Sequence, residues 1–326
     1  MGTLVRCITA VLLCSLAACT SENANYPSHP IKLIVPFPAG GSSDLIARVV
    51  SERASRALGQ QIVIENRPGA GGNVGTESAA RAAPDGYTLV QCTIGTCAIN
   101  QSLYKNPGYD LDRDFQPVVL FASLSNVLAV HPSVPARNIE ELIAHAKKNP
   151  GKVSFGSSGY GSSPHLSGEL LRITSGADLL HVPYRGSAPA ITDLRGGQID
   201  MFFDNSPSIL PHIKSGALRA LAVTGSRRLA SLPATPTMEE AGYKGFVIEP
   251  WFGLMVQKKT PAAIVGILNR AFNEALTDTD TVKRLAEMEI TPRGGTALAF
   301  GAHMTAETKR WGELIKERGI QAEELK

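Results

Sequence analysis

The stretch Ile31–Asp44, IKLIVPFPAGGSSD, decides how the rest of the chain is read. Ile31, Leu33, Ile34 and Val35 form a short apolar run broken by Pro36 and Pro38, the pattern of a buried strand entering a loop. Ala39-Gly40-Gly41 lets the backbone turn and come close to something. Ser42, Ser43 and Asp44 all suit a helix N-cap, and Leu45, Ile46, Val49, Val50, Ala54, Ala57 and Leu58 keep helical spacing until Gly59. Strand, glycine loop and helix N-terminus together aim free N–H groups and the positive end of a helix dipole at an anion.

A second copy of the arrangement follows later in the chain. Val153-Ser154-Phe155 reads as a strand, Gly156 to Ser163 as a loop, and Pro164 as the first helical residue after a Ser163 cap, with the helix running through Leu166, Leu170 and Leu171 to Gly176. Two such cradles far apart in sequence imply a cleft between two lobes. Strands alternating with helices throughout imply α/β lobes with largely parallel sheets. Phe115–Val130 is expected to hold the first crossing between lobes and Gly245–Gln257 the return. Asn138 with Glu141 has the form of a capping box. Ile199–Phe203 reads as a strand with Asp204 at its end, and helices are expected near Pro261, near Asp280 and over Thr305–Arg318.

The chain has 326 residues, 43% hydrophobic and 19% charged, which suits two globular lobes. A net charge of +3 without a basic run gives no support to nucleic-acid binding. Arg6 and the apolar stretch Cys7–Cys19 suit a secretory signal, and Leu16-Ala17-Ala18-Cys19 resembles a bacterial lipobox that would lipidate Cys19. Ordinary cleavage after Ala17-Ala18 is the alternative. Of five cysteines, Cys92 and Cys97 remain for the mature domain. They can bond if Gly95 turns the chain back; in an extended segment they would stand ~17 Å apart at about 3.3 Å per residue.

Enzyme chemistry finds little footing. There is no Gly-x-Ser-x-Gly around Ser157, Ser158, Ser162 or Ser163, no metal spacing among the seven histidines and no Walker loop. The glycine cluster Gly69-Ala70-Gly71-Gly72 lacks the register of a dinucleotide fingerprint. His165 beside the second cradle is a candidate base, or a residue that caps and packs. Neither cradle carries Lys or Arg, so an anion there would be gripped by neutral donors, which favours reversible capture of a carboxylate. Asp44 and Asp204 are either loop-bracing acceptors or partners for a ligand hydroxyl or ammonium. Arg185 is the best candidate for a charged contact, the alternative being a solvated loop arginine.

Several motifs resemble one family. Pro30-Ile31-x-Leu33-Ile34-Val35-Pro36-Phe37-x-Ala39-Gly40-Gly41-x-x-Asp44, Glu65-Asn66-Arg67-Pro68-Gly69-Ala70-Gly71-Gly72 and Pro84-Asp85-Gly86-Tyr87-Thr88-Leu89 are similar to the Bug-type extracytoplasmic solute receptors of tripartite tricarboxylate transporters. Ser157-Ser158-Gly159, His165-Leu166, His181-Val182-Pro183-Tyr184-x-Gly186, Leu218–Val223 and Trp251-x-Gly253 continue the match. The resemblance implies a two-lobed periplasmic binding protein fold of type II with a two-segment hinge. Residues 1–26 would then be the signal peptide with its lipobox and tether, 27–125 plus 250–326 one lobe, and 126–249 the other. It implies a monomeric, non-enzymatic receptor without cofactor or metal, which takes a small carboxylate to membrane permease subunits and touches the membrane only through a lipid anchor. Carried over by position, the ligand contacts are Ala39, Gly40, Gly41, Ser42 and Asp44 on one side and Ser157, Ser158, Gly159, Gly161, Ser162 and His165 on the other, with Thr93, Thr96 and Asp204 along the cleft. Cys92 and Cys97 bracketing the Thr93–Thr96 loop depart from the family pattern, as does the lipobox. The alternatives are an α/β enzyme acting on a carboxylic acid through His165 and a cradle serine, or a ligand-sensing envelope lipoprotein.

Overall fold

A computed structural model describes residues 26–322; the signal segment, Cys19 and its lipobox lie outside the described residues. From the N-terminus the elements are β1 (Ile31–Val35), α1 (Ser42–Leu58), β2 (Ile62–Asn66), α2 (Asn73–Ala80), β3 (Thr88–Thr93), a π-helical turn (Gly95–Ile99) leading into α3 (Asn100–Leu103), α4 (Leu111–Asp114) and β4 (Phe115–Ser123). Then come β5 (Asn126–Val130), α5 (Ile139–Lys148), β6 (Val153–Ser157), α6 (Ser163–Ser175), β7 (Leu179–Pro183), α7 (Ser187–Arg195), β8 (Met201–Asn205), α8 (Ser206–Lys214) and β9 (Arg219–Val223). The chain closes with β10 (Trp251–Gln257), α9 (Ala262–Thr277), α10 (Thr279–Glu287), β11 (Thr291–Pro292) and α11 (Ala297–Arg318).

These strands form two sheets, ordered β11-β4-β10-β3-β1-β2 and β7-β6-β8-β5-β9. β1 is apolar on both faces because both are covered: Ile31, Leu33 and Val35 pack with Ile46 and Val50 of α1 and Leu268 and Phe272 of α9, while Ile34 joins a different core cluster. The second sheet rests Val127, Ala129 and Phe202 on Ala190, Leu194 and Ile209 of α7 and α8.

The sheets are mixed, not largely parallel. β1 runs parallel to β2 and β3, and β6 parallel to β7 and β8, whereas β10 is antiparallel to β3 and β4 and β5 is antiparallel to β8 and β9. A parallel partner needs a crossover that returns the chain to the starting edge. β5 instead arrives straight from β4 of the opposite sheet across Leu124-Ser125, and β10 enters from the other side through Pro250, after the segment 224–250 that follows β9. These two crossings lie side by side, with the Leu124 N–H donating to the Pro250 carbonyl over 2.9 Å. Gly225 N–H donates to Ser125 Oγ over 2.8 Å and ties the exit from β9 to the same place.

Half of the expected capping box is formed: Asn138 Oδ1 accepts from Glu141 N–H at 2.8 Å, while the Glu141 carboxylate accepts from the Arg137 N–H at 2.7 Å instead of that of Asn138. Two boundaries moved. α6 is capped by Ser162, which places Ser163 in the first turn. α11 begins at Ala297, earlier than Thr305, because Thr296 Oγ1 accepts from Ala299 N–H at 3.1 Å and makes an effective cap there.

Gly168 in α6 faces the fully buried Phe155 ring, and a Cβ built on it would stand 2.2 Å from Phe155 Cε2. Gly168→Ala should therefore lower stability by about 1–3 kcal/mol from overpacking, although alanine is favoured in a helix interior by up to about 1 kcal/mol. Urea denaturation measures the difference; an unchanged or raised midpoint would show that Phe155 has room to shift.

Candidate functional site

Four helices open onto one cavity between the sheets. α1 starts after Gly41, α6 after Ser162, α7 after Gly186 and α8 after Asn205. Gly41, Ser42 and Ser43 at the start of α1, Ser162 and Ser163 at α6, Gly186, Ser187 and Ala188 at α7, and Asn205, the residue before α8, line a narrow cavity of about 40 Å³. The first N–H groups of a helix have no partner within it, and the macrodipole adds partial positive charge at the same end. At α1 and α7 no capping side chain takes those N–H groups, whereas at α8 the first of them, that of Ser206, donates to Ser125 O at 3.0 Å and Pro207 has none to give. At α6 the cap is already engaged: Ser162 Oγ donates to Gly159 O at 2.6 Å and accepts from His165 N–H at 3.4 Å.

Ser158, Thr93 and Gly95 add polar wall, and Phe37, Pro38, Ile94, Pro164, Pro250 and Phe252 supply an apolar one. No charged side chain lines the cavity. Arg185 is exposed and outside the lining. The two sheets' loops meet around the rim, where Ser42 Oγ and Ser208 Oγ are 2.6 Å apart and Tyr104 Oη donates to Tyr160 O at 3.1 Å.

Of the residues expected at the site, Ala39, Gly41, Ser42, Thr93, Ser158 and Ser162 line the cavity, and the others stand behind it and hold it in shape. Gly40, at φ +79°, donates its N–H to Asp44 Oδ2 at 3.0 Å. Asp44 also accepts from Arg48 Nε at 2.9 Å and Asn66 Nδ2 at 3.1 Å, so it is a loop brace. Burial pushes its pKa up, but the hydrogen bonds from Arg48, Gly40 and Asn66 outweigh that and hold the carboxyl below its ordinary value. Thr96 Oγ1 accepts the Thr93 N–H at 3.1 Å inside the turn that Cys92 and Cys97 close; the structure joins those cysteines by a disulfide, their Cα atoms 5.8 Å apart.

On the other side Ser157 Oγ accepts from Gly159 N–H at 3.2 Å and lies 2.7 Å from His181 Nε2. Gly159 and Gly161 both have left-handed backbones, φ +111° and +78°. A Cβ on Gly161 would fall 1.9 Å from Asn100 Oδ1, which is where the loops of the two sheets cross. His165 Nδ1 accepts the Gly161 N–H at 3.3 Å, and its ring lies 4.6 Å from that of His181. Burial first, then the neighbouring His181 and Arg172, pushes the His165 pKa down to about 3. His165 is thus a neutral acceptor that shapes the loop rather than a base facing a ligand. Asp204 is fully buried behind Ser187, which donates to its Oδ1 at 2.7 Å.

Sequence reading missed the third and fourth helix starts. Their signals are present: Gly186-Ser187 repeats the Gly41-Ser42 pattern, and Ser206-Pro207 after β8 repeats Ser163-Pro164. Pro250 and Phe252 reach the site only through the return crossing, which no local motif marks.

The sequence model described as "Tripartite tricarboxylate transporter family receptor" matches residues 46–320. The chain belongs to this family. It is similar to solved structures along nearly its whole length. The periplasmic binding protein BugD is 37% identical, with a TM-score of 0.88 over 91% of this chain and 99% of that one. Rpa4515 of R. palustris with adipate is 36% identical, TM-score 0.88, over 91% and 99%. MatC from Rhodopseudomonas palustris with bound malate is 30% identical, TM-score 0.85, over 89% and 100%. Membership makes the chain a solute-binding receptor of the periplasmic binding protein fold, not an enzyme, and gives it a periplasmic location.

Burial lowers the His181 pKa from 6.5 to about 4. A histidine depressed in the native state binds fewer protons there than when unfolded, so its contribution is complete above pH 6.5 and is lost as pH falls from 6.5 toward 4. Wild-type protein should lose on the order of 2 kcal/mol relative to His181→Asn across that window. Paired denaturation curves at each pH measure this, and parallel losses in both proteins would contradict it.

Proposed function

We propose that this receptor captures a small carboxylate between its two sheets, holds it with main-chain N–H groups and serine hydroxyls, and delivers it unaltered to the membrane subunits of a tripartite tricarboxylate-type transporter. The observation that carries the reading is the convergence of three helix N-termini, those of α1, α6 and α7, two of them without a capping side chain, on a cavity that no charged side chain lines. Such a site attracts an anion without a counter-ion to bind it permanently. The ligands in the two relatives, adipate in Rpa4515 and malate in MatC, are both dicarboxylates, which favours that class here. The wall formed by Phe37, Ile94, Pro250 and Phe252 suits the carbon chain between two carboxylates.

The two crossing segments, hydrogen-bonded to each other at Leu124 and Pro250, make the natural hinge for opening and closing. The lobes so defined are 27–125 plus 250–326 and 126–249.

Gly41 tests the site because its backbone, φ −82° and ψ 170°, suits any residue and the nearest atom to an added Cβ is Pro38 O at 3.7 Å. Gly41→Val should keep the fold and lose about 10–100-fold in affinity, because its side chain intrudes where the ligand meets the backbone. Thermal-shift titration with adipate, malate, citrate and aromatic acids should stabilise the wild type, by about 2.7 kcal/mol at a hundredfold excess over Kd. Stabilisation by none of them, or equal affinity in Gly41→Val, would sink the proposal.

A further inference from the structure

Asp204, Ser187 and Ser158 form a hydrogen-bonded chain that ends in the cavity. Asp204 lies at the end of β8, fully buried, and its Oδ1 accepts from Ser187 Oγ at 2.7 Å. Ser187 Oγ and Ser158 Oγ are 3.0 Å apart, and both serines line the cavity. Oδ2 is buried with no partner at hydrogen-bonding geometry.

A hydroxyl has one hydrogen to give. With Asp204 ionised, Ser187 gives its hydrogen to Oδ1 and Ser158 gives its own to Ser187. Ser158 then faces the cavity with lone pairs only, which repel a carboxylate and suit a ligand hydroxyl or ammonium. A proton on Oδ1 reverses each step. Asp204 donates to Ser187, Ser187 donates to Ser158, and the Ser158 hydrogen is free to point at a bound carboxylate. On Oδ2 the same proton would find no acceptor, so the relay offers it the better place.

We propose that Asp204, acting through Ser187, sets whether Ser158 donates to or accepts from the bound molecule, so that capture of a carboxylate is accompanied by uptake of a proton from solvent. This rests on the carboxylate-capture reading and deepens it. Asp204 and Ser187 are positioning residues in this scheme, and Ser158 makes the contact. Burial raises the Asp204 pKa to about 7, with Ser187, the Asn205 amide and Ser208 pulling the other way. Those groups come from α7, the end of β8 and α8, and the residue paired with Asp204 on β5 is Val127; none of them titrates or carries charge. Proton exchange at this carboxyl therefore falls in the range where a periplasmic receptor works.

Two measurements test the relay. In ligand-free protein, infrared spectroscopy should show a protonated-carboxyl band at pH 5.5 that is gone by pH 8.5 and absent from Asp204→Asn; its absence from the wild type overturns the proposal. Calorimetry with adipate, in two buffers of different ionisation heat and above the range where adipate itself titrates, should show net proton uptake and affinity falling about tenfold between pH 6.5 and 8.5. Ser187→Ala, which cuts the relay but leaves the buried carboxyl, should bind with pH-independent affinity and no linked proton, and it serves also if Asp204→Asn does not fold. A wild type without pH dependence, or a Ser187→Ala that keeps it, overturns the relay alone. Failure of adipate and the other carboxylates to bind at any pH overturns the capture reading and the coupling together.

Discussion

Peptide N–H groups at the start of a helix must find an acceptor, and the fold turns three sets of them, at α1, α6 and α7, toward one gap. Each helix end carries roughly half a positive charge. Bringing three such ends together is unfavourable by itself, because like partial charges face each other. An anion between them converts the repulsion into attraction. On the carboxylate-capture proposal, the same constraint would link occupation to closure: the sheets would approach most readily when something acidic stands between them.

The charged and titratable groups near the cleft are placed behind its lining. Asp44 fastens Gly40, Arg48 and Asn66 into one unit, His165 fixes the Gly161 amide, and Ser157 fixes Gly159. Each spends its hydrogen-bonding capacity on the loop, so the loops keep their shape without presenting a charge to the ligand. Such bracing reduces the ordering cost of binding, since the donors are already aimed. Thr93 and Gly95, held inside the disulfide-closed turn, complete the rigid wall.

The two cradles were legible in the sequence because their information is local: an apolar run, glycines, a capping residue and a 3.6-residue pattern stand next to each other at Ile31–Leu58 and again at Val153–Gly176. The crossings at Leu124 and Pro250 were legible only as regions, and the antiparallel sense of β5 and β10 not at all, because strand direction is decided by where the previous element ended. The roles within the cradles were harder still. Asp44, Ser157 and His165 sit within a few residues of the cavity wall, and only side-chain direction separates a ligand contact from a brace. Gly186-Ser187 and Ser206-Pro207 show the opposite case, in which the local signal was present but a short helix of nine residues gave it less weight.

A receptor that must release its cargo gains from this economy of charge. An arginine clamp would add paired, charge-assisted hydrogen bonds, strong and slow to break. Main-chain N–H groups and serine hydroxyls give weaker bonds, each of which water can replace, so on the proposed hinge motion opening would exchange partners without stranding a charged clamp. Selectivity must then come from the part of the wall that makes no hydrogen bonds. Phe37, Ile94, Pro250 and Phe252 come from three segments on one side of the hinge, and Pro164 and Ala188 line the cavity from the other, so on the carboxylate-capture proposal a carbon chain of the wrong length would keep the sides apart and the N–H groups out of reach of the second carboxylate. On that proposal length, measured by apolar contact, would decide whether the polar contacts are made.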